Sequence, residues 1–207
     1  MVDDVRVLLE QSRDSLRVVR SFEGEERARR ADIAEAARRL ASAEGYQGLT
    51  IRAVAAAAGT TPVTIYRYFG SKDGLAQHLM AEWALETIGR LRALELDAEL
   101  SAAERISAAF ATLVEWAAQD LHLLDAGMSS IHGNTAGMGI GLWRPLFVEL
   151  VRSALADPDW EDDEQRALVL GHVLTTCLLD LTSGSGDVAQ IRDTISVAAR
   201  LLFADVP

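Results

Sequence analysis

Thr50, Arg52, Thr61, Thr64, Tyr66, Arg67, Tyr68 and Lys72 fall within one stretch of the chain, residues 49–75, beside a single acid, Asp73. Hydroxyl, guanidinium and ammonium groups are the donors that hold phosphate oxygens and base edges. Lys72 is the only lysine in the 207 residues. A cation at that position, in the first turn of a helix, is disfavoured by the helix dipole unless a phosphate lies close by. The chemistry these residues offer is nucleic-acid contact. No acid–base pair or metal triad accompanies them.

The surrounding residues supply the elements that would position these groups. Thr50 is suited to cap a short helix over 51–58, with Val54, Ala55 and Ala58 as its packing stripe. Gly59 falls where a left-handed residue ends such a helix. Thr61 then caps a second helix with Pro62 in its first turn, where proline loses no hydrogen bond. Ile65 and Phe69, four apart, face inward, leaving Thr64, Tyr66, Arg67 and Tyr68 outward or sideways. Ser71 caps a third helix. Upstream, Ile33, Ala36, Ala37 and Leu40 mark one face of a helix that Gly45 would stop. Two short helices joined by a tight turn, the second presenting polar groups, describe a helix-turn-helix that enters a DNA groove.

At this point the stretch resembles the TetR family of bacterial transcriptional regulators. Ile33, Ala36, Ala37, Gly45-Tyr46, Thr50-Ile51-Arg52, Val54-Ala55, Gly59, Thr64-Ile65-Tyr66, Tyr68-Phe69, Ser71-Lys72 and Leu75 carry the resemblance. The Gly-Tyr pair and the Tyr-x-x-Phe-x-Ser-Lys run make it far more specific than a generic helix-turn-helix pattern. Two positions depart from it. Ala41 stands where the family has a large apolar or aromatic residue, and Gly74 stands where it has a charged helix former. Both would loosen the small domain. The resemblance implies a homodimeric repressor of a near-palindromic double-stranded operator, released by a small effector molecule bound in a variable helical domain.

Charge divides along the chain. The net charge is −11, yet residues 27–78 hold eight basic against four acidic residues. A basic head on an acidic body directs the head towards phosphate and keeps the body away from it. The domains read as an extension over 1–26, a helix-turn-helix domain over 27–78 and a helical body over 79–207. Within the extension, residues 1–22 show helical spacing. Glu23 to Arg30 reads as a charged connector, either simply solvated or an arm whose Arg27, Arg29 and Arg30 reach a minor groove. No run is long and apolar enough for a membrane span. The acidic start is unlike a signal peptide, and a lone cysteine, Cys177, forms no internal disulfide, so the cytoplasm is the expected compartment.

The body reads as helices over 72–94, 102–120, 121–131, 143–155, 164–182 and 188–203, with a glycine-rich loop over 132–141. No strand-like alternation occurs anywhere, so the fold class is all-α. The last two helices are apolar nearly all round. The resemblance accounts for this with a four-helix dimer interface, here through Leu170, Leu174, Leu178, Ile191, Ile195 and Leu202. Trp83, Phe110, Trp116, Met128, Trp143 and Phe147, with His122 and Thr176 as polar groups, suit an apolar or aromatic ligand. His122, His132, His172 and Cys177 match no zinc spacing, so no metal or other cofactor is expected. Ser129, Ser130 and His132 lack a nucleophile elbow. Gly137 to Gly141 follows no strand, so it is no dinucleotide loop. Two rivals remain: a DNA-binding regulator with no small-molecule effector, and an all-α enzyme that retains a helix-turn-helix.

Overall fold

The computed structural model describes residues 24–97, 99–133, 140–157, 160 and 164–206, and all the regular structure among them is α-helical. The helices are α1 (Gly24–Gly48), α2 (Ile51–Ala57), α3 (Pro62–Phe69), α4 (Lys72–Arg92), α5 (Ala102–Gln119), α6 (Leu121–Gly133), α7 (Ile140–Leu155), α8 (Glu164–Ser183) and α9 (Val188–Phe203). The reading of residues 1–22 as a helix lies outside the described residues. The charged segment after it does not form a connector. From Gly24 onwards it is the first two turns of α1, because its alanine and arginine content favours helix and nothing interrupts the hydrogen-bond ladder before Gly45.

The described residues form two compact units. The first holds α1, α2, α3, α4 as far as Trp83, and α6. Its core includes Ile33, Ala37, Leu49, Val54, Ile65 and Leu75, all buried. α1 packs on both α2 and α6. At Gly45 the backbone turns to φ +62°, and a Cβ there would come within 2.6 Å of the Asp125 carboxylate. That carboxylate accepts the Tyr46 N–H at 3.0 Å and the Ser129 hydroxyl at 3.1 Å, so α6 caps the broken end of α1. Ala41, one turn before Gly45, is fully buried; a small residue suits the side of α1 that meets α6. Gly74 has an equally local cause. A Cβ on it would lie 2.1 Å from the Phe69 carbonyl oxygen, so the tight passage from α3 into α4 needs glycine. Ala41 is thus part of the core, and Gly74 fits the close passage between the two helices.

The second unit holds the rest of α4 with α5, α7, α8 and α9. α9 packs on α5 and α8, and α8 on α7. Ile106, Phe110, Leu113 and Ala117 of α5 are buried, as their spacing predicts. Leu170, Leu174 and Leu178 of α8 and Ile191, Ile195 and Phe203 of α9 are buried within this unit as well. Pro145 falls in the second turn of α7 without ending it. The loop expected over 132–141 is shorter, since α6 runs to Gly133 and α7 starts at Ile140; Asn134 to Gly139 lie outside the described residues.

Candidate nucleic-acid interface

The interface is built from two caps and a glycine turn. The Thr50 hydroxyl accepts the Ala53 N–H at 3.2 Å and starts α2. Gly59, at φ +59°, reverses the chain. Thr61 accepts the Thr64 N–H at 3.3 Å and its hydroxyl lies 3.0 Å from that of Thr64. Ile65 and Phe69 anchor α3 in the core, which turns the opposite side of the helix to solvent. Ser71 accepts the Gly74 N–H at 2.9 Å and begins α4.

Thr50, Arg52, Thr61, Tyr66 and Arg67 are all exposed, on α2, α3 and the caps that precede them, while Thr64, Tyr68 and Lys72 are half-buried. A capping hydroxyl that accepts a backbone bond still has its proton to donate, so Thr50 and Thr61 can cap a helix and hold a phosphate at once. The Arg67 guanidinium stacks over the Tyr68 ring at 4.8 Å and donates to its hydroxyl at 2.8 Å. Its ion pair with Glu26, 3.9 Å long and open to solvent on both sides, is weak enough to yield to a phosphate. Val63, 77% exposed on the first turn of α3, was not singled out from the sequence. An apolar residue there carries no hydrogen-bonding signal.

Lys72 does not stand free. Its ammonium lies 3.6 Å from the centroid of the Tyr46 ring, and the Tyr46 hydroxyl donates to Asp73. Burial lowers the Lys72 pKa, while the Asp73 charge opposes that shift. Burial, with the hydrogen bond and charge of Asp73, pushes the Tyr46 phenol up to about 12. The end of α1 and the start of α4 are thus joined by one polar cluster. The Gly-Tyr pair was legible in sequence, but its partner Asp73 was not.

The three arginines of the former connector are helical. Arg30 lies over the Phe69 ring at 5.4 Å and approaches the His78 Nδ1 at 3.5 Å, so it braces α3 instead of forming an arm.

The residues proposed for a ligand divide between the units. In the first, Trp83 and Met128 are buried, the Trp83 indole donates to Asp120 at 3.1 Å, and His122 is exposed. In the second, Phe110 is core, Trp116 lies 3.8 Å beneath the Arg90 guanidinium, and Phe147 packs beside His172 at 6.3 Å. Trp143 is half-buried with its indole N–H unpartnered, and the exposed Thr176 donates to the His172 carbonyl at 3.1 Å. The second unit also holds a cavity of about 250 Å³, and none of these eight residues lines it. Of the residues proposed for a dimer interface, Leu202 alone is more than marginally accessible. The apolar side chains that α8 and α9 leave open are Val169 (47% exposed), Val197 (46%) and Leu201 (80%). Among the described residues, no group of three or more His, Cys, Asp or Glu is placed to hold a metal, and no helix is long and apolar enough to cross a membrane.

Residues 33–79 match the family described as bacterial regulatory proteins, tetR family. No curated protein sequence matches the chain. Among solved structures, a TetR transcriptional regulator from Rhodococcus sp. RHA1 is similar with a TM-score of 0.73 at 19% identity, over 88% of this chain and 99% of that one. A putative transcriptional regulator from Pseudomonas aeruginosa PAO1 gives 0.52 at 24% identity, over 89% and 94%. A putative TetR-family transcriptional regulator from Mesorhizobium loti MAFF303099 gives 0.53 at 14% identity, over 88% and 98%. At these identities the likeness is one of fold.

Proposed function

We propose that this TetR-family transcriptional regulator acts as a homodimeric repressor that holds a near-palindromic operator through α2 and α3 and releases it when a small, largely apolar molecule binds the helical body. The observation that carries the reading is the capped α2–α3 pair with Arg52, Thr61, Tyr66 and Arg67 on its open side. Arg52 and the α3 residues mix base and phosphate contacts, while Thr50, Tyr66 and Lys72 mainly grip phosphates. Val63 offers a methyl surface suited to the thymine C5-methyl group.

Two copies are needed because one α3 reads only a few base pairs. A two-fold axis places the second copy about 34–36 Å away, one helical turn along the duplex. The exposed apolar groups of α8 and α9, Val169, Val197 and Leu201, support a dimer formed through these two helices. The fully buried leucines and isoleucines of the same helices then serve the core of each protomer. With DNA as its partner, the protein works in the cytoplasm and has no catalytic task.

α4 supports the link to an effector, because one continuous helix runs from the head unit into the body. An effector can weaken DNA binding only by its differential affinity for the two states, typically about 1–3 kcal/mol, and operator DNA must weaken effector binding by the same factor. The test is fluorescence anisotropy with DNA flanking the protein's own gene. Saturable, salt-dependent binding of a palindromic segment is expected. Equal affinity for scrambled DNA of the same length would remove the reading.

A further inference from the structure

Lys72 and Asp73 are neighbours in sequence in the first turn of α4, where the helix dipole favours the acid and opposes the lysine. A free carboxylate beside a lysine competes with any phosphate for the ammonium. The two side chains nevertheless do not pair. The Lys72 ammonium sits on the face of the Tyr46 ring, 3.6 Å from its centroid, and among the described residues it makes no ion pair. The Asp73 carboxylate instead accepts the Tyr46 hydroxyl through Oδ1. One tyrosine therefore takes the cation on its face and the anion at its rim.

The place of that tyrosine is set by other elements. Tyr46 follows Gly45, where α1 kinks at φ +62°, and its N–H donates to Asp125 of α6 at 3.0 Å. The ring is half-buried, and all four elements of this arrangement belong to the head unit. Burial and Asp73 push the phenol up to about 12, so at neutral pH it keeps the proton that it donates. The two possible partners of Lys72 differ in what they leave over. A ring face attracts an ammonium without accepting its hydrogen bonds in the way an oxygen does or cancelling its charge. An ion pair with Asp73 would use both.

We propose that Tyr46 is a positioning residue for DNA binding: its hydroxyl holds the Asp73 carboxylate off the Lys72 ammonium, and its ring keeps that ammonium available to a phosphate. The proposal deepens the function proposed above and rests on it for the phosphate. The separation of the two charges stands on the head unit alone.

The test uses the full chain and begins without DNA. Lys72 is the only lysine, so carbon-13 lysine labelling gives a single side-chain titration by NMR. In the unaltered protein the ammonium should titrate below the ordinary lysine range, as its burial dictates. Tyr46→Phe keeps the ring and frees Asp73, so the Lys72 pKa should rise. Adding Asp73→Asn should cancel that rise, with circular dichroism confirming that each variant is folded. A Lys72 pKa that Tyr46→Phe leaves unchanged, or raises whether or not Asp73→Asn is present, would overturn the proposal. Should Tyr46→Phe fail to fold, the unaltered chain decides: the Lys72 ε-protons should be shifted upfield by the ring, and an unshifted signal overturns the arrangement. At DNA, Tyr46→Phe should weaken the operator about fivefold and lower the slope of log affinity against log salt by up to about one unit. Asp73→Asn should restore both in that background and change affinity less on its own. If the two substitutions are simply additive, Asp73 acts as a general negative charge and the role of Tyr46 at DNA is overturned. Failure of the unaltered protein to prefer operator over scrambled DNA counts against the regulator reading alone, and the lysine titration then decides the separation of charges by itself.

Discussion

α3 and α9 bury themselves in the same way and differ in what they leave outside. Ile65 and Phe69 root α3; Ile191, Ile195, Ala199 and Phe203 root α9. Outward, α3 shows Tyr66 and Arg67 after the hydroxyls of Thr61 and Thr64, a set rich in donors. α9 shows Val197 and Leu201 among charged neighbours, a set with nothing to donate at its centre. A buried stripe reports the fold and is much the same in any amphipathic helix. The open stripe bears on the partner, which in the function proposed above is phosphate and base edges for one helix and apolar surface for the other.

The sharpest way to break this contrast is to charge the two sides of the α8–α9 pair separately. Leu174→Asp puts a carboxylate into the core of one protomer and should cost about 4 kcal/mol or more, leaving the chain unfolded by circular dichroism. Leu201→Glu changes a side chain that is 80% exposed, so the protomer should stay folded. Sedimentation should then show monomers, with association weakened by about 2 kcal/mol or more. A folded Leu174→Asp dimer, or a Leu201→Glu dimer of unaltered affinity, would dissolve the distinction between the two stripes.

The contrast also explains what could be read from the chain. In residues 50–75 each signal is local. A threonine three residues before the N–H it caps, a glycine at positive φ, and a proline in a first turn all fix backbone within a few positions. The α2–α3 unit and its open face were therefore legible almost residue by residue. In α8 the apolar residues recur so densely that period alone does not say which stripe faces inward; by spacing, Leu170, Leu174 and Leu178 suit a partner as well as a core. The choice is made by packing against α7 and α9, which is long-range. The Asp125 cap on α1 and the Tyr46–Asp73 contact were illegible for the same reason, since each joins residues far apart in the chain.

Within the stripe proposed to face DNA, the groups should separate by task. Arg52→Ala should cost about 1–3 kcal/mol at selected base pairs, if its contact to guanine is bidentate, and leave other operator positions unaffected. Binding measured across an operator library checks this, and a uniform loss would reassign Arg52 to the backbone. Lys72→Ala is the smaller change and the opposite in kind. It should weaken all sequences alike and reduce the slope of log affinity against log salt by about one unit. An unchanged slope would mean that the ammonium on the Tyr46 ring never reaches a phosphate.

The least effect is expected on the stability that the head's polar contacts supply. Tyr46 donates to Asp73, and losing that bond in Tyr46→Phe should lower stability by about 1 kcal/mol at neutral pH. The pH profile carries the more specific signature. Burial and the Asp73 carboxylate raise the Tyr46 pKa from 10.0 to about 12, so the folded state holds the phenol proton more tightly than the unfolded chain does. The resulting stability is fully present below pH 10 and is lost as the pH rises through about 12. Lys72 titrates nearby with the opposite sign, because burial lowers its pKa and favours the neutral lysine of the folded state as the pH rises. Both proteins retain that lysine, so subtracting the Tyr46→Phe profile from that of the unaltered chain isolates the tyrosine. Urea unfolding at intervals from pH 9 to pH 12 should show the two proteins converging as the alkaline limb is climbed. Parallel profiles across that range would mean that the phenol–carboxylate contact does not hold the head together in solution, and that its backbone caps and buried stripe suffice.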